Sequence, residues 1–390
     1  MTGQRRRNVL RGVAVLLSAG VALGLSACSS GSSSSSSGGT SGGLPKQIKV
    51  VAVEPQTGPA AFAGLAALKG YDVAINEINT SKYLGDSTIV LDKKDTAGSA
   101  QTAASEVSSA VADKNTTAIF GSVSSNEAVA QSPIAQKTKV PIIFTQAGSQ
   151  GVVIGGYTFR CTPPMATYYT KMTDFTKPKG YKTVGVVYAA WSPTLNEIAT
   201  KTLSSMGLNV VASVGTQQTT QDFSAPISQV LAKKPDVVSI LLVGASNPTA
   251  MKQLRQAGYA GPVLGNSGAS AGNLKPAGAD GAGMVWAVDY SALNKSPSSE
   301  KFIAEYQKKF PGETPLNYAA EGYDAAWWLA RALKDGNGAA HDVVQQNLAK
   351  VASTGFTGAM GDLKFEGNDL RLPGVLIQWD GTKEVLLPST

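Results

Sequence analysis

Two adjacent serines, Ser124 and Ser125, stand where a short apolar run ends at Gly121 and a segment with helical spacing begins. The spacing Ser124-x-x-Glu127 is that of a capping box, in which the serine hydroxyl accepts a helix N–H and the glutamate returns to the cap N–H. The hydroxyl of Ser125 is then left over at a helix N-terminus, where unpaired N–H groups and the helix dipole favour an anion. These residues predict a ligand anchor, although a surface turn that only caps its helix fits them as well.

A second motif, Gly268-Ala-Ser-Ala-Gly272, has the spacing of the Gly-x-Ser-x-Gly turn that carries the nucleophile of α/β-hydrolases. A hydrolase built on Ser270 would need a histidine base, and His341 is the only histidine in the chain. Among 42 glycines a chance match is easy, and His341 begins a helical segment, where a solvated position is expected. We therefore expect no catalytic residue and no enzyme, and a secreted serine hydrolase is kept as a remote alternative.

The composition of the chain also argues against a metal centre and a cofactor. Two cysteines, Cys28 and Cys161, and one histidine cannot supply a zinc site or a Cys-x-x-Cys pair. The turn Thr57-Gly-Pro-Ala-Ala-Phe-Ala-Gly64 has neither Gly-x-Gly-x-x-Gly nor a Gly-Lys-Ser/Thr ending, so no phosphate cradle is visible. We expect no metal and no cofactor, and Cys161 is expected to be a small buried side chain.

Charge excludes a further class of partner. Four of the 34 basic side chains lie before Cys28, where no acidic residue is found, so 30 remain against 27 acidic ones. A surplus of +3 that is scattered along the chain is too small for a nucleic-acid-binding surface. No nucleic-acid partner is expected.

Residues 1–28 have the parts of a bacterial lipoprotein signal peptide: a basic start, a short apolar run and Leu25-Ser-Ala-Cys28, which resembles a lipobox. The apolar run is too short to cross a bilayer, which needs about 20 residues. Cys28 is predicted to carry the lipid, and an ordinary secretory signal is the alternative. Arg6-Arg7 resembles a twin-arginine signal, so the export route stays open.

Residues 29–46 are predicted to be a tether. Serine and glycine make up almost all of residues 29–43, and such a composition cannot bury apolar surface. A folded body held close to the outer face of the cytoplasmic membrane is the expected arrangement.

From residue 47 onward, apolar β-branched runs alternate with segments of helical spacing. This alternation is typical of βαβ units, in which a parallel sheet carries helices on both faces. One helical stripe joins Leu68, Tyr71, Ala74, Ile75 and Ile78. The predicted strands cover residues 48–53, 88–91, 117–120 and 142–144 in a first set, and 184–188, 210–214, 237–243 and 262–265 in a second. Two doubly wound, Rossmann-like α/β lobes follow from this repeat.

The last part of the chain is too short for a third core and is expected to return to both lobes. Successive helices are predicted over residues 298–310, 317–333 and 341–351, and Trp327-Trp328 is expected to pack in a core. The predicted boundaries are 47–161 plus 290–357 for lobe 1, and 162–289 plus 358–390 for lobe 2. Several crossings between lobes would form a hinge.

A set of short motifs resembles, in order and spacing, the type I periplasmic solute-binding proteins, and most closely the branched-chain amino-acid receptors of ABC importers. The likeness covers residues 47–379. The motifs are Thr57-Gly-Pro59, Ile75-Asn-Glu-Ile-Asn79, Lys94-Asp95, Ile119-Phe-Gly121, Val140-Pro-Ile-Ile143, Phe159-Arg160, Asp222-Phe223, Lys234-Pro-Asp-Val-Val238, Leu254-Arg-Gln-Ala-Gly258 and Glu321-Gly-Tyr-Asp-Ala-Ala326.

The resemblance implies two lobes with three crossovers, hinge closure and a ligand between the lobes. It places the ligand carboxylate at the turn of Ser124 and Ser125, and it gives Ala147 and Ser149 a backbone carbonyl and a hydroxyl contact. In the second lobe it implies contacts from Trp191, Asn247 and Ser267.

Two departures from the amino-acid receptors bear on the ligand. Ser267 stands in the loop where those receptors have a glutamate for the ligand ammonium, and Ala63, with Phe62 beside it, stands where they have an aromatic residue. A buried ammonium without a counter-charge is costly. The resemblance therefore implies a carboxylate site, while an amide, a small carboxylate or an aromatic acid fits as well as an amino acid. Phe62 or Trp191 is expected to bind such a ligand as an apolar wall.

The function that these features predict is a lipid-anchored, monomeric receptor that captures a small polar solute. Its partners would be an ABC permease with its ATPase subunits, and the membrane through the lipid on Cys28. A ligand-sensing lipoprotein of the same fold that feeds a signalling partner is the alternative.

Overall fold

A computed structural model describes residues 43–270 and 272–388. The predicted signal peptide, the lipidation site Cys28 and most of the predicted tether lie outside the described residues. Within those residues, no helix combines the length and the apolar character that crossing a bilayer requires.

Fifteen strands and twelve α-helices are found in the described part of the chain. The strands are β1 (Gln47–Glu54), β2 (Thr88–Asp95), β3 (Thr116–Gly121), β4 (Ile142–Phe144), β5 (Thr158–Arg160), β6 (Thr183–Ala189), β7 (Asn209–Thr216), β8 (Val237–Leu241), β9 (Val263–Leu264), β10 (Met284–Val288), β11 (Phe356–Gly358), β12 (Gly361–Glu366), β13 (Asp369–Arg371), β14 (Val375–Trp379) and β15 (Glu384–Leu386). The helices are α1 (Ala61–Thr80), α2 (Ala100–Ala112), α3 (Ser125–Thr138), α4 (Met165–Tyr169), α5 (Thr173–Thr176), α6 (Pro193–Glu197), α7 (Leu203–Ser205), α8 (Ser224–Leu231), α9 (Ser246–Gln256), α10 (Pro297–Lys309), α11 (Asn317–Gly336) and α12 (His341–Thr354).

The strands form two sheets, and each sheet is the centre of one lobe. The first has the order β11-β12-β13-β5-β4-β3-β1-β2, and the second β15-β14-β10-β9-β8-β6-β7. Six neighbouring strands of the first sheet, from β13 to β2, and five of the second, from β10 to β7, pair in parallel. Helices cover the sheets, so the central strands are buried. The predicted fold class, two doubly wound α/β lobes, is confirmed.

One predicted boundary is wrong. Residues 358–390 were expected to belong to lobe 2, but β12 pairs with β13 and β13 pairs with β5 of the first sheet. Only β14 and β15 join the second sheet. Short strands of this kind do not encode which sheet edge they will extend, since that edge is supplied by residues about 200 positions earlier in the chain.

The helices at the end of the chain complete the first lobe, and α11 packs tightly on α1. A Cβ at Gly322 would lie 2.5 Å from the carbonyl oxygen of Ala67, so the two helix backbones approach at a position that only glycine fits. The predicted stripe of α1, from Leu68 to Ile78, is buried as expected. Trp328 is also fully buried, as expected, and its indole N–H donates to the carbonyl of Leu348.

The described chain passes between the sheets three times: after β5, after β10 and after β13. Two of these crossings are bonded to one another, because the Thr162 hydroxyl donates to the Asp289 carboxylate at 2.8 Å. The crossings bring the carboxyl ends of β3, β4, β6 and β8 to the space between the lobes, which is where open α/β sheets bind their ligands.

Candidate functional site

The turn between β3 and α3 is supported from below by two buried carboxylates. Glu54 accepts the backbone N–H of Val123 at 2.9 Å, and Glu127 accepts the hydroxyl of Ser122, also at 2.9 Å. Both glutamates are fully buried, and burial raises the pKa of each carboxyl group above its usual range.

The predicted capping box is therefore wrong. Ser124 is the N-cap residue of α3, but its side chain makes no capping hydrogen bond. Its own N–H donates to the Ser122 hydroxyl at 3.0 Å, and that hydroxyl is also the partner of Glu127. The Ser122 hydroxyl thus takes the place of both partners that the capping box would have joined.

Ser125 faces the second lobe. Its hydroxyl oxygen lies 2.6 Å from the hydroxyl oxygen of Thr194, in the first turn of α6, and accepts the N–H of Ser149 at 3.2 Å. Ser125 and Thr194 are each 6% exposed. Glu127 and Ala128 donate their N–H groups to the Ser124 carbonyl, so the N–H groups of Ser125 and Asn126 are the ones at this end of α3 that have no acceptor within the helix.

A second hydrogen bond joins the lobes on the opposite side of the same space. The hydroxyl of Tyr318, in the first turn of α11, donates to the carbonyl of Ser267 at 3.0 Å. The ring of Phe62 meets the Tyr318 ring edge-on, with 5.7 Å between the ring centres.

Between these two contacts lies a cavity of about 90 Å³. Hydroxyl, amide, aromatic and aliphatic groups line it, and no acidic, basic or histidine side chain of the described residues is among them. The lining consists of Ala60, Phe62, Ala63, Val123, Ser124, Ser125, Gln146, Met165, Trp191, Ser192, Thr194, Leu195, Val243, Asn266, Ser267, Gly268 and Tyr318.

Five of the eight predicted ligand-binding residues lie around this cavity: Phe62, Ser124, Ser125, Trp191 and Ser267. The other three, Ala147, Ser149 and Asn247, are buried behind it. Nothing in the structure tests ligand contact itself, so the contacts stay predictions.

Ala147 and Ser149 belong to a loop that Arg160 holds. One guanidinium nitrogen donates to the carbonyls of both residues at 2.8 Å, and another donates to the Asp369 carboxylate at 2.8 Å. The Arg160 side chain is 3% exposed. Ser149 reaches the site indirectly, through its N–H bond to Ser125.

Asn247 organises the second lobe in the same way. Its amide nitrogen donates to the carbonyls of Leu242, Gly244 and Gly268. These bonds tie the loop after β8 to the loop after β9, where Ser267 lies.

Gln146, Thr194 and Tyr318 are among the lining residues that sequence reasoning missed. Gln146 is buried at a φ of 33°, a sparsely populated conformation for a residue other than glycine. Its N–H donates to Glu321, and its side chain bonds to Asn317 and Tyr168. Its place directly after a buried strand was the available signal, whereas nothing local marks Thr194 or Tyr318.

A group of buried carboxyls lies behind Gln146. Burial raises the pKa of Glu321, and the neighbouring Asp289 carboxyl raises it further. Burial also raises the pKa of Asp289, and that of Asp324 to about 7.

The hydrolase motif does not form a nucleophile and base pair. The Ser270 hydroxyl accepts the indole N–H of Trp286 at 2.7 Å within the second lobe. His341 bonds to the carbonyl of Thr116 in the first lobe, at 2.7 Å. Across residues 43–270 and 272–388, no group of three or more histidine, cysteine, aspartate or glutamate side chains could hold a metal ion.

The comparisons with known proteins agree with the observed fold. A model of the family described as periplasmic binding protein matches residues 47–380. The Leu/Ile/Val-binding protein homolog 7 of Brucella abortus is 26% identical over 362 residues, which cover 87% of this chain and 90% of that protein. These are solute-binding proteins and not enzymes.

Two solved structures show the same architecture. A leucine-binding protein, LivK, of Thermotoga maritima has a TM-score of 0.81 at 25% identity, covering 87% of this chain and 98% of its own. A solute-binding protein of R. palustris in complex with benzoate has a TM-score of 0.78 at 21% identity, covering 87% and 95%. At the latter identity the likeness concerns the fold alone.

Proposed function

Because the chain belongs to the periplasmic binding protein family, we propose that it is the extracytoplasmic solute-binding receptor of an ABC importer. It captures a small polar solute, an amino acid or a related carboxylate or amide, and hands it to the permease unaltered. A lipid on Cys28 holds the receptor at the outer face of the cytoplasmic membrane, and the receptor acts as a monomer.

The observation that carries this proposal is the position of Ser125. Its hydroxyl stands at the N-terminus of α3, is nearly buried, and lies 2.6 Å from a hydroxyl of the opposite lobe. A solute bound there contacts both lobes only when they are closed. Its differential affinity for the closed form is what drives closure.

The lining of the cavity supports a particular class of solute. The N-terminus of α3 favours an anionic group, while no carboxylate among the described lining residues would balance an ammonium. A buried ammonium without a partner is costly. The rings of Phe62, Trp191 and Tyr318 supply an apolar wall. Together these groups favour a carboxylate or an amide with an apolar body over an α-amino acid.

The size of the cavity gives an order of magnitude for the solute. A cavity needs about 10–15 Å³ to hold one water, so about 90 Å³ leaves room for a small solute of several non-hydrogen atoms. A protein of the same fold holds benzoate, which is a carboxylate without an amino group.

Matched pairs of solutes test the proposal in a thermal-shift assay. Each pair differs only in the α-ammonium, for example 4-methylpentanoate against leucine and 3-methylbutanoate against valine. We expect the ammonium-free member to raise the melting temperature, because a ligand at 100 times its Kd adds about 2.7 kcal/mol to the free energy of unfolding.

Two outcomes would contradict different parts of the proposal. A larger shift with leucine than with 4-methylpentanoate would contradict the proposed solute class but not the proposed receptor function. If no amino acid, carboxylate, amide or sugar shifted the melting temperature, the receptor itself would be wrong. Uptake of the best solute, lost on deletion of the chain and restored by it, would then identify the importer role.

A further inference from the structure

A second and larger space lies on the other side of Phe62. It is a groove of about 720 Å³ between the lobes, lined in the first lobe by α1 and the loop before α11, and in the second by β14 and the hairpin that follows it. Its volume is in the range of small-molecule sites. Phe62 is the one described residue that lines both this outer groove and the inner cavity of about 90 Å³.

The ring of Phe62 is held between the two lobes. On its own side it packs edge-on against Tyr318, whose hydroxyl reaches the second lobe at Ser267. On the other side it approaches Gly244, where an added Cβ would lie 3.3 Å from Phe62 Cε1. Phe62 and Tyr318 therefore close the gap between the inner cavity and the outer groove.

The segment that leads into α1, a few residues before Phe62, is anchored to the first sheet. The carboxylate of Asp95 accepts the N–H groups of Gln56 and Thr57 and the hydroxyl of Thr57. These bonds hold the start of the loop to the end of β2, and Phe62 follows in the first turn of α1.

Apolar side chains form part of the outer groove. Leu65 and Leu293 line it with 45% and 43% of their surface exposed, and among the described residues only two other large apolar side chains, Val90 and Ile154, are exposed to this degree. Lys69, Lys275 and Lys383 add positive charge to the lining, and Glu313 and Glu384 add negative charge. An apolar chain that left the inner cavity would meet favourable surface there.

We propose that Phe62 is a partition that sets the length of the solute, confining it to the inner cavity and separating it from an apolar groove that would otherwise accept a longer chain. The inference rests on the proposed function. The class concerned is carboxylates with an apolar tail, and the native solute is one whose tail ends at the Phe62 ring.

The test is a series of straight-chain carboxylates, from butyrate to decanoate, titrated by calorimetry into the wild type and Phe62→Ala. In the wild type, affinity should rise with length, reach a maximum at a chain shorter than decanoate and then fall at least tenfold. In Phe62→Ala, affinity should keep rising beyond that length, by up to about fourfold for each further buried methylene.

Two further variants isolate the partition. Phe62→Leu retains part of the bulk and should move the length limit by an intermediate amount. Leu65→Ala changes only the outer groove, so it should leave both the limit and the affinity for short chains unchanged. Melting temperatures of all variants without ligand show that they are folded.

The outcomes separate this inference from the function on which it rests. The same length limit in Phe62→Ala and wild type, with short chains bound by both, would overturn the partition and leave the receptor intact. A wild type that binds decanoate more tightly than hexanoate would overturn it too. Failure of the wild type to bind any carboxylate would remove the proposed solute class, and the partition with it.

Discussion

Replacing Ser125 by alanine removes a hydroxyl oxygen that forms two hydrogen bonds, one within its own lobe and one to the other lobe. Ser149, whose N–H donates to this oxygen at 3.2 Å, is in the first lobe, and Thr194, whose hydroxyl lies at 2.6 Å, is in the second. All three residues are less than 7% exposed, so water cannot readily replace the lost contacts.

The magnitude follows from these two contacts. Leaving a buried donor or acceptor without a partner costs about 1–3 kcal/mol. The Thr194 contact forms only when the lobes meet, so its loss falls on ligand binding. With about 1.4 kcal/mol for each factor of ten, Ser125→Ala should raise the Kd of the best solute by about 5- to 150-fold.

The Ser149 contact lies within one lobe, so its loss falls on the stability of the fold. A cost of about 1 kcal/mol lowers the melting temperature of a lobe of this size by about 2–4 °C. Calorimetric titration gives the change in Kd, and a thermal scan without ligand gives the change in melting temperature. Thr194→Val should reproduce the loss of affinity with a smaller change in melting temperature.

A double-mutant cycle over Ser125 and Thr194 provides the control, with an expected coupling of about 0.5–1.5 kcal/mol. Ser124→Ala is the matched single variant, because the Ser124 side chain makes no capping hydrogen bond at the adjacent position. A Kd within twofold of wild type in Ser125→Ala would refute the reasoning. A larger loss in Ser124→Ala than in Ser125→Ala would do the same.

Three further perturbations test other parts of the structure. Gly244→Ala should weaken binding about tenfold or more, because the added Cβ obstructs closure against Phe62. Gly258→Ala is the control: this glycine also has a positive φ, but no atom lies within 4 Å of the added Cβ, so the change should cost only about 1 kcal/mol of stability. Equal Kd values in the two variants, measured by calorimetry, would contradict this. The free energy of unfolding should fall as pH rises from about 4 to 7, because burial raises the pKa of Asp324 to about 7 and the folded protein then holds a proton that the unfolded chain has released. Urea denaturation at pH 5 and pH 8 checks the sign, and a more stable protein at pH 8 would show it to be wrong. Arg160→Lys should lower the free energy of unfolding by about 1–3 kcal/mol and weaken ligand binding. The reason is that one lysine nitrogen cannot donate to two carbonyls and a carboxylate with the geometry of the guanidinium group. An unchanged urea midpoint and an unchanged Kd would refute this.

Much of the fold follows from local patterns in the sequence. The stripe from Leu68 to Ile78 predicted α1 correctly, because the period of a helix is written into consecutive residues. The parallel strands were visible as apolar β-branched runs for the same reason, since strands buried on both faces leave no polar alternation. The assignment of β12 and β13 to a lobe failed, because the two strands join the first sheet through β13, and a three-residue strand gives no information about its distant partner.

In the candidate site, too, short-range relations along the chain were predicted correctly and the actual hydrogen-bond partners were not. Ser125 was identified because it follows a buried strand and opens a helix, a relation that spans only a few residues. The partner expected for Glu127 was wrong, since the spacing describes one local geometry and the buried Ser122 offered another.

The sequence by itself determined the repeated strand and helix pattern of two lobes, and the position of Ser125 at the N-terminus of α3. Only the tertiary structure decided that this serine meets Thr194, 69 residues away, that Tyr318 reaches across to Ser267, and that Phe62 divides the cleft into two compartments. The reason is physical. Backbone propensity and side-chain periodicity act between neighbours along the chain. A cleft between lobes is instead formed by side chains that approach one another only after both cores have folded and the crossings have fixed how the two lobes are oriented.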